Sequence, residues 1–440
     1  MITEIDRAAL GKIQNPVFRA YASRYIEIYE DFLAQIGQFG VPLMEGDRRE
    51  TETRLERLRE KGAHLRNDER SVYINNISPA CLACQTGVGS ATLFISLQCH
   101  RHCFFCFNPN QENYEGFVSQ KRDLGKELEE FKRREARLKH LALTGGEPLL
   151  HKEETLAFFR DARRLFPGVY TRLYTSGDHA DAATLAALKE AGLQEIRFSI
   201  RVEDSAQARR HTLERIEEAK AYIPFVMVEM PVLPGRLEEM KDILRELERI
   251  GIFSVNLLEF CFPLFNADEY RKRGYHIKTP PYRVLNNYWY AGGLPVAQSE
   301  LDCLALVEFA LDNDFKMGVH YCSLENKHTG QVYQQNHAAP APAIAFASKK
   351  DYFLKTAKVF GEDVPRVKEV LAKKRKIKYT YHPDYDCLEF HVRGIRALQR
   401  LDVEIGVSTS VMEQRNGETL VRELKMELTT PSLFDLEMDI

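Results

Sequence analysis

The chain has 440 residues, 44% apolar and 28% charged, with a formal net charge of −3. That length supplies two or three domains' worth of core, and the composition is that of a globular protein in water. A balance so near neutral gives no overall field for nucleic acid or an anionic membrane, so neither is expected as a partner. The start, MITEIDRAAL, has no apolar h-region, and no stretch approaches the ~20 apolar residues of a membrane span. Lys132-Arg133-Arg134 lies among glutamates and reads as a solvated helix face. Nine cysteines, unevenly clustered in a chain without a visible export signal, favour metal ligation in a reducing, cytoplasmic compartment over a disulfide framework.

Taken in order, residues 1–90 read as a mostly helical region. Tyr21, Tyr25, Ile28, Phe32 and Ile36 recur at helical spacing, a charged segment runs from Arg48 to Arg66, and a short strand at 71–74 leads into Cys81-Leu82-Ala83-Cys84. From Ala91 the rhythm becomes strand, loop, helix. Strands are expected at 92–97, 140–144, 170–175, 195–200, 225–230 and 254–260, with amphipathic helices at 121–139, 153–166, 182–191, 206–221 and 237–250. Gly192 and Gly251 stand where a left-handed helix cap is wanted. Buried strands separated by single helices make parallel βαβ units, and six of them suit a partial barrel or a doubly wound sheet. The Pro- and Gly-containing stretch 261–298 reads as an insertion over one mouth of the sheet, followed by a helix at 301–311 and a strand at 316–321. Ala338–Ala347 reads as a linker. Beyond it helices are expected at 351–360 and 364–374 and strands at 376–381 and 388–392. Alternation at Val403, Ile405 and Val407, the turn Asn416-Gly417 and the return at 420–428 signal a hairpin. The division is therefore 1–90, 91–323 and 324–440, the last a small α+β domain.

The chemistry centres on Cys99-His-Arg-His-Cys103-Phe-Phe-Cys106, directly after the first of these strands. Three thiolates on one loop can hold three irons of a [4Fe–4S] cluster, normally a four-ligand group, leaving one iron open to a chelating ligand. The rival is a zinc ribbon on Cys81, Cys84, Cys103 and Cys106, in which Cys99 has no use. After the second strand comes Thr144-Gly145-Gly146-Glu147-Pro148, whose glycines let the backbone approach a ligand at the carboxyl edge where α/β sites lie. Ser176 and Asp178 after the third strand suit a ribose, and Arg201 after the fourth could pair a carboxylate bidentately.

Cys-x3-Cys-x2-Cys, the aromatic Phe105 before its last cysteine, and Gly-Gly-Glu-Pro one βα unit later resemble the radical SAM superfamily, over roughly 91–323. The resemblance implies an α/β fold, a partial (β/α)6 barrel, with the N-terminal helical region and the C-terminal α+β domain flanking it. It implies an enzyme in which S-adenosylmethionine (SAM) chelates the open iron and is cleaved by one electron to methionine and a 5′-deoxyadenosyl radical that abstracts hydrogen from a substrate. By motif, Cys99, Cys103 and Cys106 are the cluster ligands; Gly145, Gly146 and Glu147 hold the methionine amino group; Ser176, Ser199 and Arg201 contact ribose or carboxylate; and the backbone near Phe105 meets adenine. Flavodoxin or ferredoxin is the expected reductant, and the substrate is a small molecule, peptide or protein.

Cys106-Phe107-Asn108-Pro109, the upstream Cys81-x2-Cys84, and His320-Tyr321-Cys322-Ser323 with Lys327 are further similar to uncharacterised proteins related to pyruvate formate-lyase activating enzymes. An activase that installs a radical on a partner protein is thus the alternative within enzymes, and a zinc-stabilised scaffold the alternative outside them. Cys81 and Cys84 are open to an auxiliary cluster, with Cys303 or Cys322, to a redox dithiol role, or to burial as core thiols. Glu229, Glu259 and Asn256 sit in otherwise apolar strands, where acidic groups need partners; they are candidates for substrate or SAM contact, or for internal salt bridges.

Overall fold

The computed structural model describes residues 1–286 and 292–440. The described residues form two compact units, one of 41–281 and 292–328, the other of 1–40, 282–286 and 329–440.

The first unit is built on a nine-stranded sheet. Its strands are β1 (His64–Arg66), β2 (Ser71–Ile74), β3 (Ser90–Phe94), β4 (His140–Thr144), β5 (Tyr170–Thr175), β6 (Glu195–Ser199), β7 (Phe225–Val232), β8 (Ser254–Glu259) and β9 (Gly318–Cys322). From β3 to β9 every neighbouring pair is parallel, and position in the sheet follows sequence order without reversal. Right-handed crossovers then place the connecting helices on one face. A doubly wound sheet needs a reversal of strand order, and this one has none. All seven carboxyl ends share one edge.

The segments form for local reasons. In the Leu237–Ile250 helix Met240, Ile243, Leu244, Leu247 and Ile250 are buried, a helical stripe facing the sheet. Gly192 and Gly251 close their helices at φ 93° and 74°, the left-handed geometry glycine adopts without cost. Asp181 opens the Ala182–Ala191 helix by accepting from the Thr184 N–H.

Residues 41–90 are not a separate helical region. β2 pairs antiparallel with β9 and β1 with β2, so this segment extends the sheet beyond its last parallel strand. The chain then passes through the Pro79–Cys84 helix to reach β3 at the opposite edge. The 261–298 stretch carries Cys261–Phe262 paired with Leu294–Pro295, and Ile277–Thr279 paired with Leu43–Glu45; its residues 287–291 lie outside the described residues.

In the second unit, strands Glu418–Thr429, Ile405–Arg415, Leu354–Phe360, Cys387–Phe390 and Tyr379–His382 lie side by side and antiparallel, with Thr3–Glu4 at one edge. The expected hairpin is there. The N-terminal helix Pro16–Gly37 belongs to this unit, and Phe18 stacks on Phe360 at 4.7 Å between ring centres. The helix expected at 351–360 is instead the strand Leu354–Phe360, every residue of it buried. A strand flanked on both sides loses its alternation. Asp351, Lys355 and Lys358, spaced like one helix face, are spent on ion pairs: Lys355 with Asp351 at 2.8 Å, Lys358 with Glu423. Among the described residues no helix is long and apolar enough to cross a membrane.

Candidate functional site at the carboxyl edge of the parallel sheet

Beyond β3 the chain runs through buried Ile95 and Leu97 into the cysteine loop. The Ser96 hydroxyl sets its path, donating to the Phe117 carbonyl at 2.9 Å and accepting from the Gln98 N–H at 3.0 Å. Beyond β4, the Gly146 N–H donates to the Ser96 carbonyl at 3.1 Å and the Glu147 N–H to the Gln98 carbonyl at 2.8 Å. Gly145 holds φ 126°, and a Cβ on Gly146 would stand 1.9 Å from the Gln98 carbonyl oxygen. The two glycines were expected to admit a ligand. What they admit here is the backbone of the cysteine loop itself, so the two motifs are one backbone assembly.

Glu147 is 2% exposed. Its carboxylate accepts from the Leu149 N–H at 3.1 Å, the Thr175 hydroxyl at 2.8 Å and the Ser176 N–H at 2.7 Å. About four lone-pair sites are available to a carboxylate, so roughly one remains. Ser176 donates to Asp178 at 3.2 Å, and Asp178 receives Arg101 at 2.6 and 2.5 Å and pairs with His100. Burial raises the Asp178 carboxyl, but Arg101 and His100 outweigh it and hold it at about 2. The cysteine loop is thereby bolted to the end of β5.

Arg201 is not free for a carboxylate: its Nη1 donates to Cys103 Sγ at 3.3 Å and its Nη2 pairs with Asp204. Ser199 is exposed at the end of β6. Phe105 packs edge-on against Phe104 and Phe260, with ring centres 5.1 and 5.7 Å away.

Burial pushes the Cys106 thiol up to about 11, with Cys103 and Cys99 adding to the rise. Cys99 is raised by burial, with Glu147 and Cys103 contributing in the same direction. The three thiols are thus electrostatic neighbours of one another and of Glu147. N–H groups point at two of the sulfurs, from Arg201 at Cys103 and from the Arg101 backbone at Cys99 at 3.4 Å. An all-sulfur donor set with N–H donors around it fits an iron–sulfur cluster, whose thiolates are stabilised by such bonds. Among the described residues no three His, Cys, Asp or Glu side chains converge as a single ion requires, whereas a four-iron cluster takes one thiolate per iron. The zinc-ribbon set is not assembled: Cys81 is bonded to Arg197 and Asn256, each at 3.4 Å.

Sequence reasoning missed most of the polar face of the sheet. Arg197 on β6 donates to Glu195 at 2.6 Å and to Glu229 on β7 at 2.7 Å. Glu195 also accepts from Ser78 at 2.6 Å and Tyr170 at 2.8 Å. Asn256 on β8 donates to Glu229 at 2.8 Å, which leaves its Oδ1 to accept from His320 Nδ1 on β9 at 2.8 Å. His320 Nε2 is then the acceptor for Ser71 at 2.9 Å. Burial raises Glu229, but Arg197, Asn256 and Lys327 together hold it below its usual range. The signal available in sequence is one or two charged or amide residues in each of several successive apolar strands, Glu229 and Asn256 among them. Glu259 lies apart, paired with Lys278 at 2.8 Å and accepting the Leu324 N–H at 2.9 Å; this is the salt-bridge reading of that residue. Cys303 is a fully buried thiol on the Ser299–Asp312 helix. Cys322 closes β9, bonded to Asn326 at 3.3 Å.

His320 is 1% exposed, and burial, then Arg197 and Arg66, lower its pKa to about 3. A folded pKa below the unfolded ~6.5 makes the neutral ring's contribution complete above about pH 6.5 and lost as pH falls toward about 3. His328, lowered by burial to about 4, acts with the same sign. Urea midpoints of the wild type should therefore fall between about pH 7.5 and 5, and those of His320→Asn should fall less.

Residues 93–247 match the model of the radical SAM superfamily. The segment from β3 through most of the Leu237–Ile250 helix is a radical SAM domain, and its family implies a [4Fe–4S] cluster and SAM. A protein of Methanocaldococcus jannaschii that carries the name glycyl-radical enzyme activating enzyme is 27% identical over 209 residues, 46% of this chain and 55% of that protein. The kinship with activating enzymes is thus shown, while the match spans only about half the length of that relative. Among solved structures, Streptococcus suis SuiB bound to precursor peptide SuiA is 9% identical with a TM-score of 0.38, covering 66% of this chain and 56% of that one. Native anSMEcpe with bound AdoMet and Kp18Cys peptide is 14% identical with a TM-score of 0.36, covering 60% and 73%. At these values neither likeness extends to substrate.

Proposed function

We propose that this chain is a radical SAM enzyme whose Cys99, Cys103 and Cys106 hold a [4Fe–4S] cluster at the carboxyl edge of a partial (β/α)6 barrel. The observation that carries the reading is the pair of backbone hydrogen bonds fastening Gly146 and Glu147 to Ser96 and Gln98. The unreversed strand order supports the barrel. When bound, cluster and SAM supply one-electron cleavage of the sulfonium for hydrogen-atom abstraction.

The chain's own residues position that chemistry. Arg101 and Asp178 fix the cysteine loop against β5, and Arg201 donates to Cys103 Sγ. Gly145, Gly146, Glu147, Ser176 and Ser199 sit at successive strand ends and are assigned to SAM, with Glu147 having room for roughly one more donor. Phe105, held by Phe104 and Phe260, lines the adenine side. A flavodoxin or ferredoxin provides the electron. A second reading, activation of a partner protein, is favoured by the name of the archaeal relative and differs only in the substrate.

Anaerobic reconstitution with iron and sulfide, followed by SAM and dithionite, tests this. Wild type should gain a cluster whose EPR spectrum changes with SAM and should release 5′-deoxyadenosine; the Cys99→Ala/Cys103→Ala/Cys106→Ala variant should do neither. Zinc in place of iron, or release no greater than the variant's, refutes the reading.

A further inference from the structure

Two cations of the first unit, Arg172 and Lys327, have no hydrogen-bond or ion-pair partner among the described residues. Arg172 on β5 is 8% exposed, and its Nε is wholly enclosed without an acceptor. Among the described residues its guanidinium makes no hydrogen bond or ion pair; it lies 5.7 Å from the centre of the Tyr174 ring, which Arg197 approaches to 5.3 Å. Lys327, in the helix Leu324–Asn336 after β9, likewise has an ammonium with no hydrogen-bond or ion-pair partner among the described residues. Cys322, Cys261, Glu229 and Cys84 are the groups around it.

Cys84 links the two. It is reached by solvent, yet burial raises its thiol, while Arg172, Lys327 and Arg197 all pull the other way. Cys84 thus has both cations, with Arg197, as its charged neighbours. The charges there do not balance. Arg197 is matched by Glu195 and Glu229, whereas no carboxylate pairs with Arg172 or Lys327 among the described residues. An unpaired charge in a protein interior costs several kcal/mol, and groups so placed normally have something to pair with.

We propose that Arg172 and Lys327 form a subsite for an anionic group, carboxylate or phosphate, of the substrate on which this enzyme acts. The guanidinium offers a planar fork for two oxygens, and the ammonium a second point of attachment. The inference rests on the radical SAM reading for the word substrate; the anion site itself does not. A second iron–sulfur cluster on Cys81, Cys84 and Cys322 is the other anion these cations could serve.

The test uses the reconstituted protein without reductant, with and without saturating SAM, titrated with propionate, inorganic phosphate and neutral propionamide while Tm is followed. Propionate or phosphate should raise the wild-type Tm by mass action, with propionamide inert, and the effective anion names the class. Arg172→Met and Lys327→Met should each weaken the response by roughly tenfold or more in apparent Kd, and Arg172→Lys should retain part of it. The proposal is overturned if wild type ignores both anions, if the Met variants respond like wild type, or if SAM abolishes the response. It is equally overturned if wild type holds two clusters' worth of iron and Cys84→Ala holds one. Release of 5′-deoxyadenosine is measured separately: its failure beside an intact anion response removes the radical reading and leaves the site.

Discussion

Arg197→Ala should destabilise the protein by about 3–5 kcal/mol, the cost of breaking a buried ion pair from one side. Arg197 is 2% exposed and is the only side chain bonded to both Glu195 and Glu229 among the described residues. Removing it leaves two carboxylates, one of them with 0% of its side chain exposed, with only neutral hydrogen-bond donors bonded to them among the described residues. It also removes a donor to Cys81 and the guanidinium facing Tyr174. The result separates charge from packing. Arg197→Met with Glu195→Gln and Glu229→Gln keeps much of the volume without the charges, and should recover a large part of the loss, because a buried pair replaced as a whole is often close to neutral. Chemical denaturation of the single and triple variants reads both arms. Equal losses in the two would mean that Arg197 acts through its bulk.

Gly146→Ala should be the most disruptive substitution of a single methyl group at the site. The Cβ would fall 1.9 Å from the Gln98 carbonyl oxygen and 2.6 Å from the Leu97 carbonyl carbon. Both are backbone atoms, so no rotamer change relieves the contact. The two strand-end loops must separate, and the Glu147-to-Gln98 hydrogen bond of 2.8 Å goes with them. We expect a loss beyond about 4 kcal/mol, the range reserved for overpacking with no escape, together with iron content after reconstitution near that of the triple cysteine variant. Gly125→Ala is the control, since a Cβ there meets nothing closer than 3.5 Å and alanine favours a helix. If Gly146→Ala loads iron normally, the coupling between the loops is weaker than the geometry states.

Much of the parallel sheet was legible because its strands are short apolar runs separated by capped helices. His140–Thr144, Tyr170–Thr175, Ala182–Ala191 and Leu237–Ile250 have the expected bounds. The motifs were legible too, since cysteine spacing and Gly-Gly-Glu are local. What failed was non-local. Nothing near Ser71–Ile74 says that it pairs with Gly318–Cys322, so 1–90 looked separate. Asp351, Lys355 and Lys358 mimic a helical face, and Glu423, the partner of Lys358, cannot be inferred from periodicity. At the site, Arg201 looked like a carboxylate clamp, and only folding brings Cys103 to it. Arg172 and Arg197 were invisible as neighbours because they lie in different strands, and only folding brings both to the Tyr174 ring.

The passage of residues 75–89 from one edge of the sheet to the other bears on how the chain comes to be folded during synthesis. Ser71 and His320, 249 positions apart, meet through a 2.9 Å hydrogen bond. β2 therefore leaves the ribosome early and waits for the last parallel strand before it has anything to pair with. Until then Glu195, Arg197 and Glu229 remain hydrated and the Pro79–Cys84 helix has no settled place. Contacts so distant in sequence slow folding and lengthen the life of open intermediates. A ribosome-bound fragment ending before residue 318 should accordingly keep Cys81 open to thiol-labelling reagents that the finished protein, where it is bonded to Arg197 and Asn256, shuts out.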